Sequence, residues 1–123
     1  MKKKDIVYIK HIRDAIELIL DYTKEINKQN FNSKVMLQDA VIRRIQVIGE
    51  AVKNISPAFR EKFSGIPWTK IAGMRDKITH GYFNVDIDIV WEVIVKDIPT
   101  LKNNILEIIN KEESNSKNNK FEV

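Results

Sequence analysis

The segment from Met74 to Tyr82 brings together three side chains that can handle protons and phosphates. It reads Met-Arg-Asp-Lys-Ile-Thr-His-Gly-Tyr, with four residues between Arg75 and His80 and one between His80 and Tyr82. Histidine titrates near neutrality, arginine keeps its charge, and the tyrosine phenol both donates and accepts hydrogen bonds. The chain has one other histidine, His11, and no cysteine. If the chain is an enzyme, the pattern places its chemistry in this segment.

The reaction that suits these side chains is attack of an RNA 2′-hydroxyl on the neighbouring phosphate. A histidine can take and return the proton, and a guanidinium can hold the phosphate and the charge that develops on it without a metal ion. A cleft lined by Arg75, Lys77 and nearby lysines would also attract the RNA backbone. The segment therefore predicts a metal-free site, with Arg75 and His80 as the catalytic pair and Lys77 in support.

The same residues also have ordinary structural interpretations. Arginine and histidine occur at this spacing by chance in many helical proteins, as a solvent-facing charge and a satisfied surface histidine. Tyr82, Trp68 and Trp91 are of a type found more often in cores and interfaces than in stacking or modified positions. Glu50, between a glycine and an alanine, is either a buried partner for a basic group or a solvated charge. Spacing alone is therefore a weak signal of catalysis.

The elements that must position the segment are predicted to be helices. Four stretches carry apolar residues at three- and four-residue spacing, and none shows the alternation of a strand. Two long helices are expected at residues 5–28 and 33–55, with Ser33 as the cap of the second. Helices of ~30 Å joined by a short connection pack as a hairpin. The predicted fold class is all-α, an up-and-down bundle of four to five helices.

A geometric problem arises on the helix that would carry Arg75. After a short helix at residues 56–63, a further helix is predicted from Trp68 to about Gly81, where glycine allows an end or a bend. At about 100° per residue, His80 lies about 140° round from Arg75, so the two do not converge on one atom in a regular helix. Either the helix distorts near Gly81, or two copies face each other so that both chains line one cleft.

The end of the chain differs in composition from the rest. A last long helix is predicted over residues 87–111, with a kink at Pro99. Residues 112–123 are almost entirely polar, so we expect them to be disordered. The chain is thus divided into a helical bundle at residues 1–111 and a polar tail at residues 112–123.

Composition narrows the class of protein further. A chain of 123 residues, 43% hydrophobic and 31% charged, is typical of one soluble domain. Its apolar runs fall far short of the ~20 residues that cross a bilayer. The net charge of +4 permits nucleic-acid binding without requiring it. Since no apolar stretch of a signal peptide follows the basic N-terminus, we expect a cytoplasmic protein.

The surroundings of the motif resemble a known family. Residues 66–86 read Ile-Pro-Trp-Thr-Lys-Ile-Ala-Gly-Met-Arg-Asp-Lys-Ile-Thr-His-Gly-Tyr-Phe-Asn-Val-Asp, followed by Trp91 and by Pro-Thr-Leu at residues 99–101. Together with Ile-Gln-Val-Ile-Gly-Glu-Ala at residues 45–51, they closely resemble the HEPN superfamily toxins of the HepT type. The likeness covers nearly the whole chain and ends near Lys111.

This resemblance implies both an architecture and an activity. It implies a HEPN-like helical bundle that forms a homodimer, with the motifs of both protomers in one composite cleft. The activity implied is that of a toxin in a type VII-like toxin–antitoxin module, a metal-independent endoribonuclease that cleaves cellular mRNA or tRNA. The implied partner is a minimal nucleotidyltransferase antitoxin of the MNT type.

Residue by residue, the resemblance also assigns roles. Arg75 and His80 match the catalytic pair, and Tyr82 matches the tyrosine that the antitoxin adenylylates with ATP, while the toxin itself uses no cofactor. A bulky anionic adduct on the Arg75 face would fill the cleft and repel RNA. Asp76 stands where members often have asparagine, and its negative charge near the phosphate site would lower activity. Glu50 falls within the matched stretch on the second long helix.

A hypothesis from a different class stays open. Related helical bundles accompany nucleotidyltransferases as binding subunits, and such a module would use Arg75 and His80 to bind a nucleotide or the partner's surface. A ribonuclease should lose cleavage in His80→Ala and keep its partner, whereas a binding module should lose its complex in Arg75→Ala. The presence of Arg75, His80 and Tyr82 together favours the ribonuclease.

Overall fold

The chain folds into a bundle of helices, as the spacing of its apolar residues predicts. The computed structural model describes residues 3–80 and 84–122, with the side chains of residues 4–79 and 84–115. Within these ranges the helices are α1 Lys3–Thr23, α2 Lys28–Asn32, α3 Val35–Lys53, α4 Pro57–Lys62, α5 Trp68–Ala72, α6 Met74–Ile78, α7 Ile87–Glu92 and α8 Ile98–Glu122. Two short strands, β1 Thr79–His80 and β2 Asn84–Val85, and a π-helical turn at Val93–Asp97 complete them. The prediction of an all-α bundle is confirmed.

The core lies between the three long helices α1, α3 and α8. Each contributes an apolar stripe at helical spacing, and all but one of these side chains are at most 1% exposed, Leu101 being 4% exposed: Ile9, Ile12, Ile16 and Ile19 of α1, Val41, Ile45, Ile48 and Val52 of α3, and Ile98, Leu101, Ile105 and Ile108 of α8. The three- and four-residue spacing of apolar residues in the sequence predicts such stripes. Burial of this many branched side chains supplies the main driving force for folding.

The connection between α1 and α3 differs from the prediction. α1 ends at Thr23 rather than near residue 28, because Glu25 adopts a left-handed backbone conformation with φ of 66°. The predicted turn contains α2, whose C-terminal carbonyls at Phe31 and Asn32 accept from the buried Gln38 side chain at 2.8 and 3.1 Å. Ser33 therefore follows α2, donating to the carbonyl of Asn30 at 3.0 Å. Its predicted role as the cap of α3 is wrong.

The short helix α4 begins as the sequence predicts. The Ser56 hydroxyl accepts a hydrogen bond from the Phe59 N–H at 3.2 Å, and Pro57 occupies the first helical position. The carboxylate of Asp5, buried at the start of α1, accepts from both the N–H and the hydroxyl of Ser56 at 2.8 Å. Asp5 thus ties the first helix to the cap of the fourth.

The last helix contains an irregularity before Pro99. Residues Val93–Asp97 form a π-helical turn, in which the Ile98 N–H donates to the Val93 carbonyl five residues back. Because Pro99 has no N–H, it could not bond to the carbonyl of Val95 in a regular α-helix, and its ring would clash with that carbonyl. The predicted distortion at Pro99 therefore takes the form of a wider helical turn.

Helix α8 is longer than predicted. Disorder was expected for residues 112–123. The helix instead continues past residue 111, and the backbone is helical as far as Glu122. One reason is Glu112, which is buried and lies 2.7 Å from the Lys62 ammonium of α4. That residues 1–111 form a domain on their own stays a prediction.

None of the helices in residues 3–80 and 84–122 combines the length and the apolar character that a bilayer crossing needs.

Candidate active site

Arg75, Asp76, Lys77 and His80 lie in a segment of very short elements, residues 68–85, which we call the site segment. The sequence predicted one helix here, and that prediction is wrong. The helix divides at Gly73, whose N–H bonds to the carbonyls of Thr69 and Ile71, and α6 then ends at Ile78. Each of the two helices that result has five residues. Helices this short are not stable alone and depend on their contacts with the core.

Thr79 ends the helix that carries Arg75. Its hydroxyl donates to the Arg75 carbonyl at 2.9 Å, the acceptor that the Thr79 N–H would use if the helix continued. The Thr79 N–H bonds instead to the carbonyl of Asp76, and the residue adopts an extended conformation. A β-branched side chain favours this change from helix to strand.

A small antiparallel hairpin then carries His80. Thr79 pairs with Val85 and His80 with Asn84, and the Asp86 N–H donates to the Ile78 carbonyl at 2.8 Å. The Asp86 carboxylate in turn accepts from the Ile89 N–H at 3.2 Å and caps α7. His80 therefore lies on a strand and not on the helix of Arg75. That helix ends at Ile78, before the position near Gly81 where a distortion was predicted. The His80 side chain, Gly81 and Tyr82 lie outside the described residues.

Arg75 is presented on the surface of the site segment. Met74 and Ile78 of the same helix are buried, while Arg75 and Asp76 are exposed. Within the described part of the chain, no side chain makes a hydrogen bond or ion pair with the Arg75 guanidinium. None of the described side chains thus occupies the five N–H donors of Arg75. A guanidinium matches a phosphate in geometry and charge.

Lys77 is placed differently from Arg75. Its ammonium lies 3.1 Å from the carboxylate of Asp97, at the end of the π-helical turn. Two residues along a helix correspond to a rotation of about 200°, so Lys77 and Arg75 point to different flanks of α6. Within one chain, the two cations do not line one side of a cleft. The supporting role of Lys77 toward RNA stays a prediction.

The other candidate residues have ordinary structural positions. Glu50 is exposed on α3, with its carboxylate 3.7 Å from Lys53, so it is a solvated charge and not a buried partner. Trp68 is buried, and its indole N–H donates to carbonyls of α4 and the following turn. Trp91 packs against Phe31, with ring centroids 5.3 Å apart. The packing interpretation of both tryptophans is confirmed, and His11 is exposed on α1.

Two residues that shape the site were not singled out from the sequence. Gly49 allows α3 to approach the site segment, because a Cβ at this position would lie 3.2 Å from the Ala72 carbonyl oxygen. The sequence indicates its neighbour Glu50 as a candidate instead. Asp97 stands twenty residues after Lys77 in sequence, and no local pattern predicts their contact.

Metal binding is not supported by any cluster in the described residues. Among their side chains, no group of three or more histidine, cysteine, aspartate or glutamate residues is arranged to hold a metal ion. The absence of a metal from the reaction stays a prediction.

Comparison with known proteins identifies the family. The family described as Ribonuclease HepT-like matches residues 12–108, and no solved structure matches the chain at a significant level. A protein of Methanocaldococcus jannaschii named "Gamma-glutamylcyclotransferase and putative RNase" is 50% identical over the whole of this chain, which spans 55% of that longer protein. The "Putative RNase" of Caldanaerobacter subterraneus is 45% identical over 85% of this chain and 94% of its own length. The "Probable ribonuclease HepT" of Thermococcus cleftensis is 44% identical over 83% of this chain and 93% of its own length. The chain therefore belongs to the HepT-like family of the HEPN superfamily.

Proposed function

We propose that this chain is a metal-independent endoribonuclease, the toxin of a type VII-like toxin–antitoxin module, and that it cleaves cellular mRNA or tRNA. The observation that carries the proposal is that the Arg75 guanidinium is exposed and has no partner among the described side chains. The strand that holds His80 begins directly after the helix of Arg75. Membership of a family described as ribonucleases supports the same reading.

The chemistry assigned to the pair is transfer within the RNA strand. His80 accepts the proton of the 2′-hydroxyl while that oxygen attacks the adjacent phosphorus, and the bond from phosphorus to the 5′-oxygen of the next nucleotide breaks. The proton returns to the leaving 5′-oxygen, so the products are a 2′,3′-cyclic phosphate and a 5′-hydroxyl. Arg75 balances the negative charge that builds on the phosphate oxygens, which is the role of a preorganised cation in such reactions.

Two copies of the chain are proposed to form the complete site. One copy supplies a single Arg75 and a single His80, and a two-fold axis would place two such pairs around one strand of RNA. The homodimer also follows the resemblance described above. A composite cleft of this kind would present two guanidinium groups, which suits the repeating charge of the RNA backbone.

Tyr82 is the proposed point of control. It lies two residues after His80 in sequence, so a nucleotidyl group attached to its phenol would be close to the catalytic pair. The proposed partner is an MNT-type nucleotidyltransferase antitoxin that transfers AMP from ATP to this oxygen. The phosphodiester adds a negative charge, which would repel RNA and compete for Arg75.

The test is cleavage of total RNA and tRNA in EDTA by unmodified protein. The intact mass of the preparation is checked first for AMP adducts. We expect wild type to leave cyclic phosphate ends and His80→Ala to lose about 10²–10⁴-fold in rate, the usual contribution of general acid–base catalysis. His11→Ala is the matched control, because His11 is exposed on α1 and should keep full activity.

The opposite result has an equally definite meaning. If adduct-free wild type cleaves no RNA, the ribonuclease proposal fails and the chain is a binding subunit for a nucleotidyltransferase. In that case Arg75→Ala should weaken the complex with the partner. Cleavage that persists unchanged in His80→Ala would exclude His80 from the chemistry.

A further inference from the structure

We propose that Asp97 is a positioning residue for the active site: by holding Lys77, its carboxylate fixes the rotation of α6 and so the direction of Arg75. The inference rests on the proposed ribonuclease function. It adds a residue outside the Arg75–His80 motif, on a different helix, and gives Lys77 a role other than binding RNA.

The contact between the two residues is close and partly shielded from water. The Lys77 ammonium donates to the Asp97 carboxylate at 3.1 Å, and the Asp97 side chain is only 23% exposed. Lys96 and Glu92, in the same part of the chain, lie 3.7 Å apart and are both mainly exposed. An ion pair that is partly withdrawn from solvent is less screened than one on the open surface. The Lys77–Asp97 contact is therefore the stronger restraint of the two.

Both residues of the ion pair line a groove beside α6. A cavity of about 140 Å³ lies between the site segment and the last helix, and both Lys77 and Asp97 line it. Its other walls include Ile71, Met74 and Leu101. The groove leaves part of this side of α6 without a packing partner, so the ion pair adds a restraint to the one that the buried Met74 and Ile78 supply.

The position of Lys77 on α6 lets this contact control Arg75. Met74 and Ile78 anchor one face, and a helix of five residues can rock about that face. Lys77 and Arg75 lie on different flanks of it. A rotation of ~10° would move an atom 6 Å from the helix axis by ~1 Å, a displacement sufficient to cost a catalytic group ~10²-fold in rate.

The other end of the contact is set by the backbone of the last helix. Asp97 closes the π-helical turn that precedes Pro99, where the Ile98 N–H bonds to the Val93 carbonyl. Turns of this kind occur frequently at functional sites. Because Pro99 does not fit a regular α-helical turn, the local sequence itself favours the distorted turn on which Asp97 lies.

A neutral residue at position 97 should therefore have two opposite effects. It would loosen α6, which lowers the turnover number, and it would free the Lys77 ammonium, which strengthens attraction of RNA. The prediction for Asp97→Asn is a fall in kcat of about tenfold with KM unchanged or reduced, on the grounds that a small misplacement of Arg75 affects the transition state more than the ground state. Loss of folded protein alone would lower the apparent kcat and leave KM unchanged, so kcat is calculated per folded molecule.

The experiment measures kcat and KM for tRNA cleavage by the full-length protein. Four proteins are compared with wild type: Asp97→Asn, Lys77→Asp, the double charge exchange Lys77→Asp with Asp97→Lys, and Glu107→Gln. The charge exchange rebuilds the attraction and should recover most of the kcat lost by either single change. Glu107→Gln is the control, because it breaks a 2.9 Å ion pair with Lys111 on the surface of α8 and should alter neither constant.

Several results would overturn the inference. If Asp97→Asn leaves kcat unchanged and only lowers KM, Asp97 merely neutralises Lys77. If kcat falls only in proportion to a lower melting temperature, or the charge exchange recovers nothing, Asp97 is a structural residue or acts through another group. A wild type that cleaves no RNA removes the proposed function and this inference with it, whereas an active wild type with an unaffected Asp97→Asn removes the inference alone.

Discussion

The pair formed by α1 and α3 and the site segment are held in place by different kinds of contact. In the helix pair, eight branched apolar side chains are fully or almost fully buried. In the site segment, five-residue helices are fixed by a few apolar anchors and by polar contacts, among them Asp86 with Ile78, Thr79 with Arg75 and Lys77 with Asp97.

This difference predicts that stability and activity depend on different parts of the chain. A large buried surface tolerates the loss of one polar contact, but a segment with few anchors responds to it by a change of position. We expect substitutions in the helix pair to alter the free energy of unfolding and those in the site segment to alter catalysis. Four predictions test the separation.

The largest effect on activity is expected from Arg75→Ala. We predict a fall of about 10²–10³-fold in kcat, comparable with the loss of one preorganised group that stabilises transition-state charge. The free energy of unfolding should change by less than ~0.5 kcal/mol, because Arg75 is exposed and has no partner among the described side chains. The measurements are single-turnover RNA cleavage and urea denaturation. Arg43→Ala, an exposed arginine of α3, is the control for the loss of a positive charge.

The largest effect on stability is expected from Ile45→Ala. Ile45 is completely buried in α3, and truncation of such a residue costs about 3 kcal/mol, since the lost transfer energy adds to the cost of a cavity. Cleavage per folded molecule should stay close to that of wild type at low temperature. Met36→Ala, at a position 88% exposed, should change the free energy of unfolding by less than ~0.5 kcal/mol. A strong loss of catalysis in folded Ile45→Ala would contradict the separation.

A smaller loss of stability is expected from Asp5→Ala. The change would leave the N–H and hydroxyl of Ser56 without their acceptor at a partly buried position. We predict a loss of about 1–3 kcal/mol, measured by urea denaturation. Asp14→Ala removes an exposed carboxylate that contacts only its neighbour Arg13 among the described residues, and its effect should be small. Equal effects of the two substitutions would show that the buried cap is not important.

The smallest of the four main effects is expected from Gly49→Ala, where the two regions meet. Alanine favours helix by ~1 kcal/mol over glycine, but its Cβ would lie 3.2 Å from the backbone oxygen of Ala72. These effects oppose each other, and we predict a net change within ~1 kcal/mol. Since the backbone of α5 must shift to make room, RNA cleavage should fall several-fold even so. Unchanged cleavage would mean that the site segment tolerates this shift.

The sequence predicts the helix pair well and the site segment poorly, for one physical reason. In each of these two helices, apolar residues such as Ile12 and Ile45 recur at helical spacing over about three turns. The pattern is therefore strong, and the burial of these residues follows from it. At Thr79 the backbone changes from helix to strand within one residue, under the influence of a side-chain hydrogen bond, and β1 and β2 are too short for alternation to show.

The sequence names candidate residues for the site but does not predict their geometry. Family membership confirms the resemblance, whereas the assignment of the site to the Arg75–His80 motif stays a prediction. The position of His80 on a strand and the contact of Lys77 with Asp97 depend on tertiary structure. Ser33 failed as a predicted cap of α3 because it ends α2, where its N–H and hydroxyl both bond to the Asn30 carbonyl, and Lys34 occupies the N-cap position of α3. Contacts of this kind leave no periodic trace in a sequence.

The π-helical turn before Pro99 also bears on how the number of residues relates to the direction of the helix. A ring closed between Val93 and Ile98 contains one residue more than an α-helical turn, and Val90 before the turn, Ile94 within it and Ile98 after it are all buried. The turn therefore already holds one residue more than a regular α-helical turn, while the buried residues before and after it both stay on the core. At this turn, the number of residues and the direction of the helix are not related as they are in a regular α-helix.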